Sequence, residues 1–140
     1  GAEAVTRAAE AACAELAVLQ LAGAVGRRVH AALTAPVVQL AASRTHWKEV
    51  PIAVELAGRI VEGFIDLVIE TDDGLLVVDY KTDTVRTESD IQVKVTRYAP
   101  QIRAYAEALS VATGLFVEPP RLLFCGESEA TEVPVVNDRH

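Results

Sequence analysis

Positive charge is in short supply in this sequence: 13 Lys and Arg stand against 20 Asp and Glu, for a net charge of −7. That is the wrong sign for gripping a polyanion by bulk electrostatics, so any such contact must be local, metal-assisted or shared with another domain. Cysteine is scarcer still. Cys13 and Cys125 lie far apart with no CxxC partner, which argues for a reducing, cytoplasmic setting and against a zinc or iron–sulfur site built by this chain alone. Long apolar runs are also missing. The stretch from Ala11 to Val25 is rich in alanine and holds Glu15 and Gln20, too short and too weakly apolar to span a bilayer. No net-basic segment precedes it, so a secretory signal is not expected. There is no GxxxxGK[ST], hence no nucleotide site and no ATP-driven motor in this chain, and no internal repeat or low-complexity linker.

What is present is globular: 140 residues, 51% hydrophobic and 24% charged, enough for one domain, residues 1–140, with a real core. Gly1 in place of methionine, ahead of an abrupt helical start, is expected of a processed tag or of a fragment cut from a longer protein. The chain divides into a helical N-terminal part, 1–44, and a sheet and helix over 48–140. Ala2 to Leu21 is Ala/Glu/Leu-rich and favours helix. Gly23 and Gly26 punctuate it, a second helix runs from Gly26 to Leu33, and Thr34 with Pro36 caps and starts a third that ends near Ser43. Then β-branched residues take over. Lys48 to Leu56 and Arg59 to Glu70 are strands joined at Ala57-Gly58, and Leu75 to Lys81 follows the Asp73-Gly74 turn signal. Arg86 to Thr96 is polar without a clear period and is expected to be a mobile loop. Pro100 opens a helix that Gly114 stops. Arg121 to Cys125 and Ala130 to Val136 are two last strands, the second an edge because Pro134 lacks a donor. The order predicts an α/β domain around a mixed sheet.

The strand-like segment from Gly63 to Asp83, GFIDLVIETDDGLLVVDYKTD, carries charge where apolar residues were available. Asp79 and Lys81 are two apart and share a face. With a four-residue loop, Thr71 to Gly74, Asp66 falls opposite Asp79; with a two-residue loop it faces Lys81; a three-residue loop would break the cluster. Like charges opposed across a strand pair are destabilising. They call for a compensating cation, either Mg²⁺ or Mn²⁺ as the hard, oxygen-seeking choice, or Lys81 itself in a salt-bridged surface cluster.

Asp66 followed by Asp79-x-Lys81 on a hairpin resembles the PD-(D/E)XK nuclease superfamily. More narrowly, GFIDLV followed by LLVVDYKTD is similar to the RecB-type nuclease domain of helicase–nucleases such as RecBCD, AddAB and AdnAB. His30 in GRRVHAAL stands where that family has a metal-binding histidine. Glu49 in KEVP resembles its E-x-P strand entry, with Glu55 and Glu62 as competitors. Tyr98, Gln101 and Tyr105 in YAPQIRAY resemble its Gln-x3-Tyr helix motif, and Arg97 and Arg103, like Arg27 and Arg28, offer local positive charge for phosphate. The resemblance covers roughly Gly26 to Leu109. The proline that commonly precedes the first aspartate is replaced by Phe64-Ile65, and two distant cysteines cannot form the iron–sulfur staple of the AddB-like branch.

The resemblance implies a restriction-endonuclease-like mixed central sheet flanked by helices. It implies a metal-dependent deoxyribonuclease, an exonuclease serving DNA repair and recombination, in which Asp66, Asp79, His30 and the Tyr80 carbonyl hold Mg²⁺ or Mn²⁺ and Lys81 supports the attack, with Glu49 in the catalytic set. Single-stranded DNA ends would be its substrate, contacted by Gln101, Tyr105, Tyr98 and Arg97, and a helicase outside this chain its partner. The alternative is a catalytically silent DNA-positioning or scaffold module of such a complex.

Overall fold

The computed structural model describes residues 22–126 and 128–136, together with residues 4, 7 and 8. All but residues 4, 7 and 8 of the helix expected over Ala2 to Leu21 lies outside the described residues, as do Cys13 and His140. The described elements are helices α1 (Ala22–Thr34) and α2 (Pro36–Ser43), strands β1 (His46–Leu56), β2 (Arg59–Glu70) and β3 (Leu75–Lys81), helix α3 (Glu88–Thr113), and strands β4 (Arg121–Cys125) and β5 (Ala130–Pro134). The sheet runs β1-β2-β3-β4-β5 and is antiparallel throughout except where β4 pairs in parallel with β3. That one parallel step needs a crossover, and α3 supplies it. This is the mixed sheet with flanking helices of the restriction-endonuclease-like α/β fold.

Alternation along the strands splits the core into two layers. Leu75, Val77, Leu122 and Phe124 pack with Ile102, Ala106 and Leu109 of α3. Leu76, Val78, Leu123 and Cys125 pack on the other face with Val37, Val38 and Ala41 of α2. Truncating a fully buried side chain such as Phe124 to alanine would cost about 3–5 kcal/mol. Among the described residues no helix is long and apolar enough to cross a membrane.

Several sequence expectations fail for local reasons. Gly23 and Gly26 lie inside α1 instead of bounding it, and Thr34 caps nothing, because its hydroxyl donates back to the Ala31 carbonyl at 2.7 Å while Ala35 takes the N-cap position of α2. The expected loop from Arg86 to Thr96 is mostly helix. Thr87 accepts from the Asp90 N–H and the Asp90 carboxylate accepts from the Thr87 N–H, a closed capping box that starts α3 well before Pro100. Pro100 is interior and exposed; it forfeits only its own bond to the Thr96 carbonyl. The helix ends as expected at Gly114, with φ +70.

Candidate active site

The hairpin turn fixes the geometry first. Thr71 N–H donates to the Gly74 carbonyl at 2.8 Å and Gly74 N–H to the Thr71 hydroxyl at 3.2 Å, closing a four-residue loop with Glu70 across from Leu75. Of the registers open to the sequence, this is the one that aims Asp66 at Asp79. The β2–β3 ladder runs only as far as Leu67↔Val78. One step further, the Asp66 carboxylate takes the place of a strand carbonyl and accepts the Tyr80 N–H at 2.7 Å.

β2 is irregular at the same point. Ile65 and Val68 both pack on the α3 side although three residues apart, so the alternation breaks between them. The β1–β2 pairing steps from Lys48↔Leu67 to Val50↔Ile65, passing over Glu49 and Asp66, and Glu49 holds φ +49. A non-glycine residue in this region costs about 1–3 kcal/mol, and such strain gathers at functional positions.

Around Asp66 the electrostatics are unfavourable for two bare carboxylates. Burial pushes the Asp66 carboxyl up to about 7; the Tyr80 N–H opposes this, the neighbouring Asp79 carboxyl adds to it, and the Lys81 charge offsets part. Lys81 Nζ lies 2.8 Å from Asp79 Oδ2, both side chains being mostly covered. Among the described residues no three His, Cys, Asp or Glu side chains converge as a metal-binding group. Two facing carboxylates nevertheless fit a hard divalent ion, because Mg²⁺ is commonly held by one or two carboxylates with water and substrate phosphate completing its shell. The pair is short of positive charge, as such a site must be before the ion binds.

The remaining expected residues divide into groups. Tyr98 sits directly on the site, its ring centroid 4.2 Å from Lys81 Nζ and its hydroxyl on Asp83 at 2.9 and 3.0 Å. Arg97 is exposed, its guanidinium 5.5 Å from the same ring. Gln101 donates to the Tyr105 hydroxyl at 3.4 Å. That hydroxyl lies against Gly63, where an added Cβ would meet it at 2.2 Å and where φ is +152, so the glycine that opens GFIDLV makes room for the α3 tyrosine. His30 and Glu49 are both exposed, on α1 and β1, and neither is drawn into the Asp66–Asp79–Lys81 cluster.

Two contributions went unseen in the sequence: the tether made by Arg28, expected there only as local positive charge, and the part played by Asp83. Arg28 Nη1 donates to the Thr82 carbonyl at 2.9 Å and to the Cys125 carbonyl at 2.7 Å, tying α1 to the ends of β3 and β4. Asp83 is pushed up by burial but held below the usual carboxylate range by the Tyr98 hydroxyl and by Lys94, 3.2 Å away. Asp83 continues the two-residue step of Asp79 and Lys81, and that spacing was a usable signal.

Comparisons with known proteins agree with this fold. The sequence profile of the PD-(D/E)XK nuclease superfamily matches residues 1–138. The chain is 40% identical over 72 residues to a subunit of the ATP-dependent helicase/nuclease of Thermoanaerobacter sp. (strain X514), a match covering 51% of this chain and 6% of that protein. It is 47% identical over 51 residues to the protein of the same name from Lactiplantibacillus plantarum, covering 36% of this chain and 4% of the other. With the Clostridium botulinum (strain Hall) protein of that name it shares 47% identity over 55 residues, 39% of this chain and 4% of the other. The chain thus matches only a small part of the length of these relatives.

Proposed function

This chain belongs to the PD-(D/E)XK nuclease superfamily, and from that premise we propose that it hydrolyses DNA phosphodiester bonds with the help of Mg²⁺ or Mn²⁺, as the nuclease module of a DNA-repair helicase–nuclease. The observation that carries the proposal is the Asp66–Asp79 pair, brought together at the frayed end of β2 and β3 with Lys81 beside it. Asp66, Asp79 and the Tyr80 carbonyl would hold the ion, with His30 as a further donor and Glu49 in the catalytic set. A bound divalent ion would neutralise the pair, polarise the scissile phosphate and lower the pKa of the attacking water. Lys81 would meet the negative charge that builds on the phosphate oxygens, a task suited to a compact ammonium.

Gln101, Tyr105 and Arg97, on the face of α3 toward the hairpin or beside it, would contact the DNA backbone. Single-stranded DNA ends would be the substrate, and exonuclease action would follow if a helicase delivers them. The relatives' names include a helicase activity, and a partner of that kind would supply the DNA affinity that a net charge of −7 denies this domain.

The test is cutting of a labelled single-stranded oligonucleotide across a Mg²⁺ and Mn²⁺ titration. Wild type should cut only with metal. Asp79→Ala should be inactive, and Lys81→Ala should lose about 100- to 1000-fold in rate. Undiminished cutting by Asp79→Ala would rule the site out.

A further inference from the structure

The lysine of the site hangs on a contact that the chemistry itself must disturb. Among the described residues the Lys81 ammonium has two direct contacts, the Asp79 carboxylate at 2.8 Å and the Tyr98 ring at 4.2 Å. The first is weakened in the working enzyme, because the proposed function, on which the role of Tyr98 rests, shares the Asp79 carboxylate, whose Oδ2 holds Lys81, with a metal. An unrestrained lysine carries about 2 kcal/mol of rotamer entropy and would leave the phosphate for solvent. We propose that Tyr98 is a positioning residue, whose ring keeps the Lys81 ammonium at the reacting phosphate once Asp79 is shared with a metal.

The surroundings of Tyr98 suit that task. Its hydroxyl is fixed by both oxygens of Asp83, and Lys94, one helical turn earlier on the same face of α3, holds Asp83 from the other side. Asp83 follows Lys81 by two residues, and between them the Thr82 carbonyl is held by Arg28. The chain leaving β3 is therefore gripped from α1 and α3 at once, with the ring face turned to Lys81. A cation over an aromatic face is attracted by the ring quadrupole, and the attraction grows where water is excluded. Tyr98 thereby acts through Lys81 and needs no contact with DNA, in contrast to the substrate-binding role expected from its place beside Gln101.

The experiment pairs kinetics with a spectroscopic readout on the full chain, using Tyr98→Phe and Tyr98→Leu with Mg²⁺ and a single-stranded oligonucleotide. Lysine is labelled with ¹³C to follow the Lys81 Hε protons by NMR in the metal-free and Mg²⁺-loaded protein. The expected results are an upfield ring-current shift of Lys81 Hε that persists when Mg²⁺ is added, is kept in Tyr98→Phe and is lost in Tyr98→Leu. Rates should move in parallel: kcat falls about ten- to thirtyfold in Tyr98→Leu with KM unchanged, and Tyr98→Phe recovers it to within about threefold of wild type. A rise in KM at constant kcat would overturn the proposal and make Tyr98 a substrate contact. Loss of the ring-current shift on metal loading would overturn it too. If Tyr98→Leu does not fold, Tyr98→Phe decides alone, since a variant that keeps the shift yet loses the rate would show that the hydroxyl matters and the ring does not. A wild type that shows the shift but never cuts would instead refute the nuclease assignment, and with it the role given to the ring.

Discussion

Replacing Asp66 by asparagine should stabilise the metal-free protein, and only above a defined pH. The Asp66 carboxyl titrates at about 7 in the fold against 3.8 in the free side chain. Between those values the native state holds a proton that the unfolded chain has released, so stability falls as pH rises through this window and is constant above it. At about 1.36 kcal/mol per pH interval of one, the full effect would approach ~4 kcal/mol. The carboxyl keeps some contact with solvent, which reduces the expected penalty to about 2 kcal/mol. Asparagine retains an oxygen for the Tyr80 N–H, bonded at 2.7 Å in the wild type, and adds an N–H donor for Asp79 without the charge. In urea denaturation with EDTA, Asp66→Asn and wild type should therefore be nearly equal at pH 4. By pH 8 the variant should be ahead by about 2 kcal/mol, a midpoint shift on the order of 1 M. A stability difference that is the same at both pH values would refute the reasoning, because the pH dependence comes from the proton on Asp66.

With metal present the ranking should narrow or invert: at pH 8 Mg²⁺ at a hundred times its Kd would stabilise wild type by about 2.7 kcal/mol, and Asp66→Asn less, as thermal melts with and without EDTA would show. Gly63→Ala places a Cβ 2.2 Å from the Tyr105 hydroxyl and should destabilise by about 1–3 kcal/mol. A double-mutant cycle with Tyr105→Ala should recover the steric part of that loss, and strict additivity would mean that the two residues do not touch. Thr87→Ala opens the capping box of α3 and should cost about 1 kcal/mol, accompanied by faster amide exchange in the first turn of the helix; unchanged exchange there would count against the cap.

The hairpin was legible in sequence because its signals are local. β-branched runs, Ala57-Gly58, with both φ angles positive at +48 and +78, and Asp73-Gly74 each declare themselves within a few residues. The pairing of Asp66 with Asp79 was legible only as one of several registers, since the choice rests on how Thr71 closes the turn. The first turns of α3 were hidden for a different reason. Glu88, Gln92, Thr96 and Arg97 face water while only Val95 and Tyr98 are half-buried against the core, so too few apolar positions recur to reveal a helical period. The tether made by Arg28 could not be seen because its carbonyl partners are brought in by tertiary folding, and Asp83 left only its two-residue step beyond Lys81 as a signal. The break in alternation at Asp66 likewise follows from β1, where Glu49 takes a backbone conformation that no propensity scale favours.

The confinement of Asp66, Asp79 and Lys81 to one hairpin also bears on the order in which the protein assembles. Hairpins close in about 1–10 μs, whereas contacts between segments distant in sequence must first meet the entropy of a larger loop. The acidic pair is thus brought face to face by a local event, while α1, which supplies Arg28, must return over the whole hairpin to reach Thr82 and Cys125. A nascent or partly unfolded chain would already hold its most mutually repulsive side chains together, before the tethers at the exit of β3 have formed. Divalent ions present during refolding would be met by this early hairpin, and they would speed the folding of the domain as well as stabilise the finished fold.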